Sequence, residues 1–332
     1  MTKRVLVTGG AGFISSNVVR HLLAATPHEV VSLDALTYAG NIENLADVMS
    51  HERLSFVEGD IRNAELVREV VAGVEVIVNA AAESHVEKSI REGASEFVRT
   101  NVEGTQILLD AVREAPVERF VLISSSEVYG TAEYAPMDEE HALNPRSPYA
   151  ATKAGADRLA YAYAVTYGLP IVILRPFNNY GPRQHPEKLV PRFITSALED
   201  VPLTVHGDGS ASRDWLYVDD DAEAIEAAVD ADLGTVSGQV INIATGVDLT
   251  VSEIADLVLE ALGKPSSLKR YVDERPGQVQ RHVGSTDKAA RLLGWTARTR
   301  FEDGLARTVA WYRDNEAWWR GVRARTVGVY SS

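Results

Sequence analysis

Short apolar runs alternate with amphipathic stretches along the first half of the chain. Val5-Leu6-Val7, Val30-Val31-Ser32-Leu33, Leu54-Ser55-Phe56-Val57, Val76-Ile77-Val78, Phe120-Val121-Leu122-Ile123 and Ile171-Val172-Ile173-Leu174 are rich in β-branched residues. Between them, apolar positions recur at helical spacing. Val18, Val19, Leu22 and Leu23 follow the first run, and similar stretches cover about 63–72, 94–114 and a segment starting near Ser147. Strands that are apolar throughout and separated by helices predict a parallel sheet covered on both faces. After about residue 178 the pattern loosens. Pro182, Pro186, Pro191, Pro202 and Gly207-Asp208-Gly209 cut it into short pieces. Leu216-Tyr217-Val218 and Val240-Ile241-Asn242-Ile243 predict further strands, and helices are expected over about 220–230, 251–262 and 302–314. The expectation is an α/β chain with a doubly wound sheet over residues 1–178. A smaller C-terminal α/β lobe covers 179–332, with some exchange of chain between the two. From Trp318-Trp319-Arg320 onward no pattern is readable.

Composition narrows the classes. The chain has 332 residues, 45% hydrophobic and 24% charged, ordinary values for a globular protein. No apolar run approaches the roughly 20 residues that cross a bilayer, and Met1-Thr2-Lys3-Arg4 leads into a strand without a secretory apolar region. A cytoplasmic protein without membrane association is expected. There are no cysteines, which removes disulfides and thiolate metal sites; no metal is expected. A net charge of −14 disfavours nucleic acid as a partner. A phosphate-bearing ligand would need a few placed cations.

The first strand runs into Gly9-x-x-Gly12 and then a helix, the arrangement that holds a pyrophosphate on a helix N-terminus. Gly9 permits the tight turn and Gly12 the close approach of the phosphates. Ser15 stands where a third glycine is usual, a position that tolerates a small residue. Asp34 ends the second strand, placed to bind ribose hydroxyls and repel a 2′-phosphate, which favours NAD over NADP. The fold expected is therefore Rossmann-type. Phe13, Ile14, Ala81, Asp60 and Ile61 complete the expected cofactor set, the last two beside the adenine.

Tyr149-x-x-x-Lys153 opens a helix after Ser147-Pro148, and a spacing of four puts both side chains on one face. A tyrosine is a poor base until a nearby cation stabilises its phenolate. Lys153 is that cation. With the Gly-rich turn and the Ser124-Ser125-Ser126 strand end, this chain resembles the extended short-chain dehydrogenase/reductase family. Thr37–Asn41, Glu83-Ser84-His85-Val86, Asn178–Pro182, Pro186–Pro191, Arg213–Val218 and Arg275-Pro276-Gly277 are similar to nucleotide-sugar enzymes of the dTDP-glucose 4,6-dehydratase type. That resemblance implies that Ser125 and Tyr149 act on a sugar 4-hydroxyl while C4 gives a hydride to NAD, and that Lys153 binds the nicotinamide ribose. It further implies substrate contacts from Glu83, Asn179, Lys188, Leu189, Val205, His206, Arg213, Asn242 and Arg275. The partner implied is a UDP- or dTDP-linked sugar. The assembly implied is a homodimer through the helices near 94–114 and 147–167.

One departure matters. The dehydratases that this chain resembles carry Asp-Glu where Ser126-Glu127 stands. Dehydration needs a proton for the departing C6 hydroxyl, and losing a positioned general acid costs about 10²–10⁴-fold. A substrate with a carboxylate at C6 loses carbon dioxide after C4 oxidation and needs no such acid. Ser-Ser-Glu resembles the motif of UDP-glucuronate decarboxylases, which also use an arginine late in the chain; Arg281 is the candidate. The expected reaction is thus decarboxylation of UDP-glucuronate to UDP-4-keto-pentose or UDP-xylose, with 4,6-dehydration of a dTDP- or UDP-hexose as the alternative. A 4-epimerase needs no acid at Glu127. A non-enzymatic NAD-binding regulator has no reason to keep Ser125, Tyr149 and Lys153 together.

Overall fold

The computed structural model describes residues 2–274 and 279–330. Seven parallel strands form the main sheet: β1 (Arg4–Thr8), β2 (Glu29–Asp34), β3 (Leu54–Glu58), β4 (Val76–Asn79), β5 (Arg119–Ile123), β6 (Ile171–Pro176) and, from far along the chain, the edge strand Val240–Ile243. Their order is Val240–Ile243, β6, β5, β4, β1, β2, β3. The order reverses between β1 and β4, the switch point where such sheets open a ligand crevice at their carboxyl ends.

Alternation within the strands explains the two covered faces. Val5, Val7, Val76, Val78, Val121, Ile123, Val172 and Leu174 point to one side, packed under the helices Phe13–Ala25 and Val218–Asp230. Leu6, Ile77, Phe120, Leu122, Ile171 and Ile173 point to the other, under the helices Ala64–Val71, Gly104–Glu114 and Pro148–Tyr167. Both faces are buried, so the strands read as unbroken apolar runs. Residues 218–243 thus complete the sheet and its cover although they follow the loosened region.

The lobe has its own core of Phe193, Ile194, Tyr217, Val258, Leu259, Leu305, Tyr312 and Trp319. It contains β7 (Asn178–Tyr180), β8 (Leu203–His206) and β9 (Ser212–Tyr217). The strand Val240–Ile243 is β10 in chain order, followed by β11 (Asp248–Thr250), β12 (Lys269–Val272) and β13 (Arg281–His282). The strand expected at 216–218 begins four residues earlier, at Ser212. The unread C-terminus is a helix, Glu316–Tyr330, with Trp319 buried in the lobe core. Among the described residues no helix is long and apolar enough to cross a membrane.

Candidate active site

The turn after β1 is shaped by close approach. Gly9 has φ +68°, and a Cβ there would stand 2.8 Å from the Ala81 Cα. Gly10, not singled out from the sequence, is as constrained: a Cβ would meet the Ser32 hydroxyl at 2.0 Å. The Gly9 amide donates to the Leu33 carbonyl at 2.7 Å, and that of Gly12 to the Gly9 carbonyl at 2.9 Å. Gly12 caps the helix Phe13–Ala25 without any side-chain hydrogen bond, so no side chain competes for the first-turn amides of Phe13 and Ile14. Ser15 is buried at the tight helix–strand contact. This cradle fits a dinucleotide diphosphate.

Asp34 accepts from the Ala11 amide at 2.9 Å through one oxygen and from the Leu36 amide at 2.7 Å through the other. Burial pushes its carboxyl upward against those two bonds. Each oxygen keeps a second lone pair for a ribose hydroxyl. Asp60 and Ile61 lie just after β3. Asp60 accepts from the Arg62 amide and pairs with its guanidinium at 2.7 Å, and Ile61 is buried against Gly104.

The redox residues converge at the carboxyl end of β5. Ser147 caps the helix Pro148–Tyr167, its hydroxyl accepting from Ala150 N at 3.1 Å, and Pro148 sits in the first turn. Tyr149 and Lys153 follow one turn apart. The Tyr149 hydroxyl bonds to Ser125; burial, seconded by the Glu127 charge, pushes the phenol up to about 12. Lys153 donates to the Ile123 carbonyl at 2.6 Å, and burial pushes its ammonium down to about 8. Tyr149 therefore needs added positive charge beside it to act as a base, which an oxidised nicotinamide supplies.

After β5 the chain makes a 3₁₀ turn, Ser126–Tyr129, capped by the Ser125 hydroxyl on Glu127 N at 3.2 Å. Ser125 and Glu127 are half-exposed, whereas Ser126 between them is 2% exposed. The Glu127 carboxylate thus shares the Ser125–Tyr149 side of the turn.

The expected substrate residues divide. Arg213, on β9, is nearly buried, and its guanidinium donates to the Ser212 carbonyl at 2.8 Å. It does not pair with Asp214, whose carboxylate accepts from Thr245, Gly246 and Gly284 instead. Lys188 precedes the helix Leu189–Leu198 and reaches the Ser84 carbonyl at 2.9 Å. The Glu83 carboxylate has one buried oxygen without a hydrogen bond and lies 3.9 Å from Lys88. His206 donates from its ring Nδ1 to the Asp273 carbonyl, 3.1 Å away, and Val205 is buried in the lobe. Asn179 turns its amide to Asp221 at 2.9 Å. Arg275 lies outside the described residues.

Two expected site residues have their side chains engaged within the protein. Asn242 is fully buried, its side chain held between the Tyr129 hydroxyl at 2.7 Å and the Met137 carbonyl at 3.0 Å. Arg281 is exposed and paired with Asp248 at 2.9 Å. Strand alternation on β13 turns Arg281 outward and His282 inward.

Sequence reading also passed over a buried cluster between the lobe and the main sheet. Glu187 lies 3.2 Å from His85 and 3.3 Å from His185, with Lys188 at 3.5 Å. Tyr38 packs edge-on against both imidazoles. Burial opposes ionisation, but Lys188 and the two histidines hold the Glu187 carboxyl well below the usual range. The only sequence signal was membership of similar segments; the contacts join residues a hundred positions apart.

A Gly-rich cradle and a Ser–Tyr–Lys group meeting on one sheet edge define an NAD-type enzyme of the extended short-chain dehydrogenase/reductase class, nucleotide-sugar branch. Within it, residues 6–308 match the model of the GDP-mannose 4,6 dehydratase family, and the chain belongs to that family. It is 50% identical to the low-salt glycan biosynthesis protein Agl12 of Haloferax volcanii, covering 93% of this chain and 98% of that one. It is 45% identical to a dTDP-glucose 4,6-dehydratase of Streptomyces niveus, covering 97% and 96%. The crystal structure of the dTDP-glucose 4,6-dehydratase DesIV of Streptomyces venezuelae, with NAD bound, is 47% identical and superposes with a TM-score of 0.92 over 96% of this chain and 99% of that one.

Proposed function

We propose that the protein is an NAD-dependent nucleotide-sugar 4,6-dehydratase acting on a dTDP-linked hexose. The observation that carries this reading is the Glu127 carboxylate on the same side of the strand end as the Ser125–Tyr149 pair. A group that only oxidises and reduces C4 needs no acid there; one that eliminates across C5–C6 does. NAD, which the Gly9–Gly12 turn and Asp34 would hold, would supply the acceptor for the C4 hydride and the source of its later return. Ser125 and Tyr149 bind the 4-hydroxyl, Tyr149 takes its proton, and Glu127 removes the C5 proton made acidic by the new ketone. Ser126 has no proton to give, so Glu127 returns the proton it took as C6 loses hydroxide, and water leaves.

The UDP-glucuronate reading rested on Ser126 and on Arg281 as the group near the sugar carboxylate. Arg281 is engaged by Asp248 on the exposed side, which removes the second support. Relatives named as dTDP-glucose 4,6-dehydratases over nearly the full chain favour dehydration. A homodimer through the helices near 94–114 and 147–167 accords with the exposed Val98, Tyr161 and Val165; sedimentation at a single 36.2 kDa chain mass would refute it.

One assay tests the reaction. The purified protein with NAD is offered dTDP-glucose, UDP-glucose and UDP-glucuronate, and products are weighed by mass spectrometry. Loss of water from a glucose nucleotide is expected. Loss of carbon dioxide from UDP-glucuronate, with the glucose nucleotides untouched, would overturn the proposal.

A further inference from the structure

His282 is fully buried, and neither ring nitrogen makes a well-aligned hydrogen bond. Such a group costs about 1–3 kcal/mol, so a fold seldom keeps one idle. Its place is fixed from both sides. β13 pairs with β9, setting His282 opposite Arg213. On its other edge, Ala132 N donates to the Arg281 carbonyl at 3.3 Å and Met137 N to the Val283 carbonyl at 2.8 Å, tying β13 to the loop that follows the Ser126–Tyr129 turn. The ring leans on Phe177, centroids 5.1 Å apart. Its polar neighbours are the Glu127 carboxylate, Arg213, His141 and the Ser126 backbone, to which the ring makes at most a poorly aligned hydrogen bond that a substrate-induced shift could exchange for Glu127. Burial pushes the imidazole down to about 4, so at neutral pH it carries one N–H and no charge.

We propose that His282 is a positioning residue for Glu127, its ring N–H donating to one carboxylate oxygen when substrate fills the cleft and leaving the other oxygen to meet C5. This rests on the dehydratase reading. A neutral donor suits the task. It holds the carboxylate without neutralising it, and keeps its grip on the same oxygen when the other one carries the proton. The step balances within the site. The C5–H electron pair becomes the C5=C6 bond as the C6–O bond breaks. The proton passes from C5 to Glu127 and on to the departing hydroxide, and Glu127 ends as the carboxylate it began as. With Ser126 unable to share the proton work, the aim of Glu127 decides the rate. Catalytic hydrogen bonds of this kind commonly tighten only in the substrate complex.

The test separates the half-reactions in single turnovers with NAD and dTDP-glucose. In His282→Phe, C4 oxidation, read as nicotinamide reduction at early times, should stay within about threefold of the wild type. Incorporation of solvent deuterium at C5 and loss of water should fall by about 10–100-fold, less than the roughly 10²–10⁴-fold that acid–base catalysis itself supplies, because Glu127 stays in place and loses only its aim. KM should change little, and His282→Asn, which keeps a donor, should recover part of the loss. Equal slowing of oxidation and exchange, or no change in either, would overturn the proposal. A second measurement needs no His282 variant: in the 15N-histidine-labelled protein with NAD and a dTDP-pentose, which fills the cleft but has no C6 hydroxyl to lose, Glu127→Gln should shift the His282 ring resonance. An unmoved resonance also overturns it. If the wild type dehydrates no hexose nucleotide, the proposed function fails, and this resonance still decides whether His282 addresses Glu127.

Discussion

Lys153 illustrates how a single residue trades stability for chemistry. It is 5% exposed, and burial lowers its ammonium from an ordinary 10.5 to about 8, with Asp157 opposing the shift. The folded state therefore binds fewer protons than the unfolded one between pH 8 and 10.5, and folding stability rises with pH across that window. Below it the full cost is present, on the order of 3 kcal/mol at about 1.4 kcal/mol per unit. Lys153→Met should lose C4 oxidation and yet melt higher than the wild type at pH 7. Its advantage should shrink toward pH 10; thermal melts at the two values check this, and a gain that grows with pH would contradict it. The same scale shows what the sequence could and could not say. Gly9 and Asp34 were legible because each stands at a strand end, and Tyr149 and Lys153 because they lie four apart at the start of a helix. Arg281 was named because UDP-glucuronate decarboxylases use an arginine late in the chain, and β13, two residues long, is too short for its pattern to show which side chain points inward.

At the scale of elements, apolar runs located all seven strands of the main sheet, because its central strands, buried on both faces, leave few polar gaps. The helix expected over 94–114 was only partly right. It is interrupted by a π-helical stretch, Val98–Glu103, between Ser95–Phe97 and Gly104–Glu114. Periodicity could not show this, since the irregular turn serves a partner distant in sequence. Asn101, buried in the stretch, accepts from the Glu83 amide at 2.9 Å and donates to the Glu83 carbonyl at 3.1 Å and to Thr152 at 2.9 Å. It ties the segment before the helix Val86–Arg91 to the helix carrying Tyr149 and Lys153. Asn101→Ala would strand a buried backbone N–H and carbonyl, each costing about 1–3 kcal/mol. Urea unfolding should show a stability lowered by that sum, read as a lower midpoint at nearly constant slope. A loss under 0.5 kcal/mol, the ordinary size of a neutral surface change, would mean the ties do not hold.

At the scale of the whole molecule, the unread C-terminal helix reaches back to the cofactor cradle. The Trp318 indole N–H donates to the Asn44 side-chain oxygen at 3.1 Å, and the Asn44 amide donates to the Ala11 carbonyl at 2.9 Å, inside the Gly9–Gly12 turn. The Asn41 amide supplies the second donor to that carbonyl at 3.1 Å. A parallel link runs from Arg20 through Asp47 to Arg183 of the lobe. The last helix thus braces the turn expected to hold the diphosphate, although no motif marks it. Trp318→Phe keeps an aromatic ring against Trp311, now at 4.9 Å, and removes only the N–H. Asn44 then loses the bond that fixes its rotamer, and the turn loses part of its preorganisation. A hydrogen bond of this kind is worth about 0.5–1.5 kcal/mol, which corresponds to a roughly 2–10-fold rise in the NAD dissociation constant. Isothermal titration of the NAD-free protein should show that rise, with KM for the sugar nucleotide unchanged at saturating NAD. Asn44→Ala should reproduce it, and the double variant should be no weaker than Asn44→Ala alone, because both changes break the same chain of contacts. Additive losses would show that Trp318 acts on the lobe by a separate route.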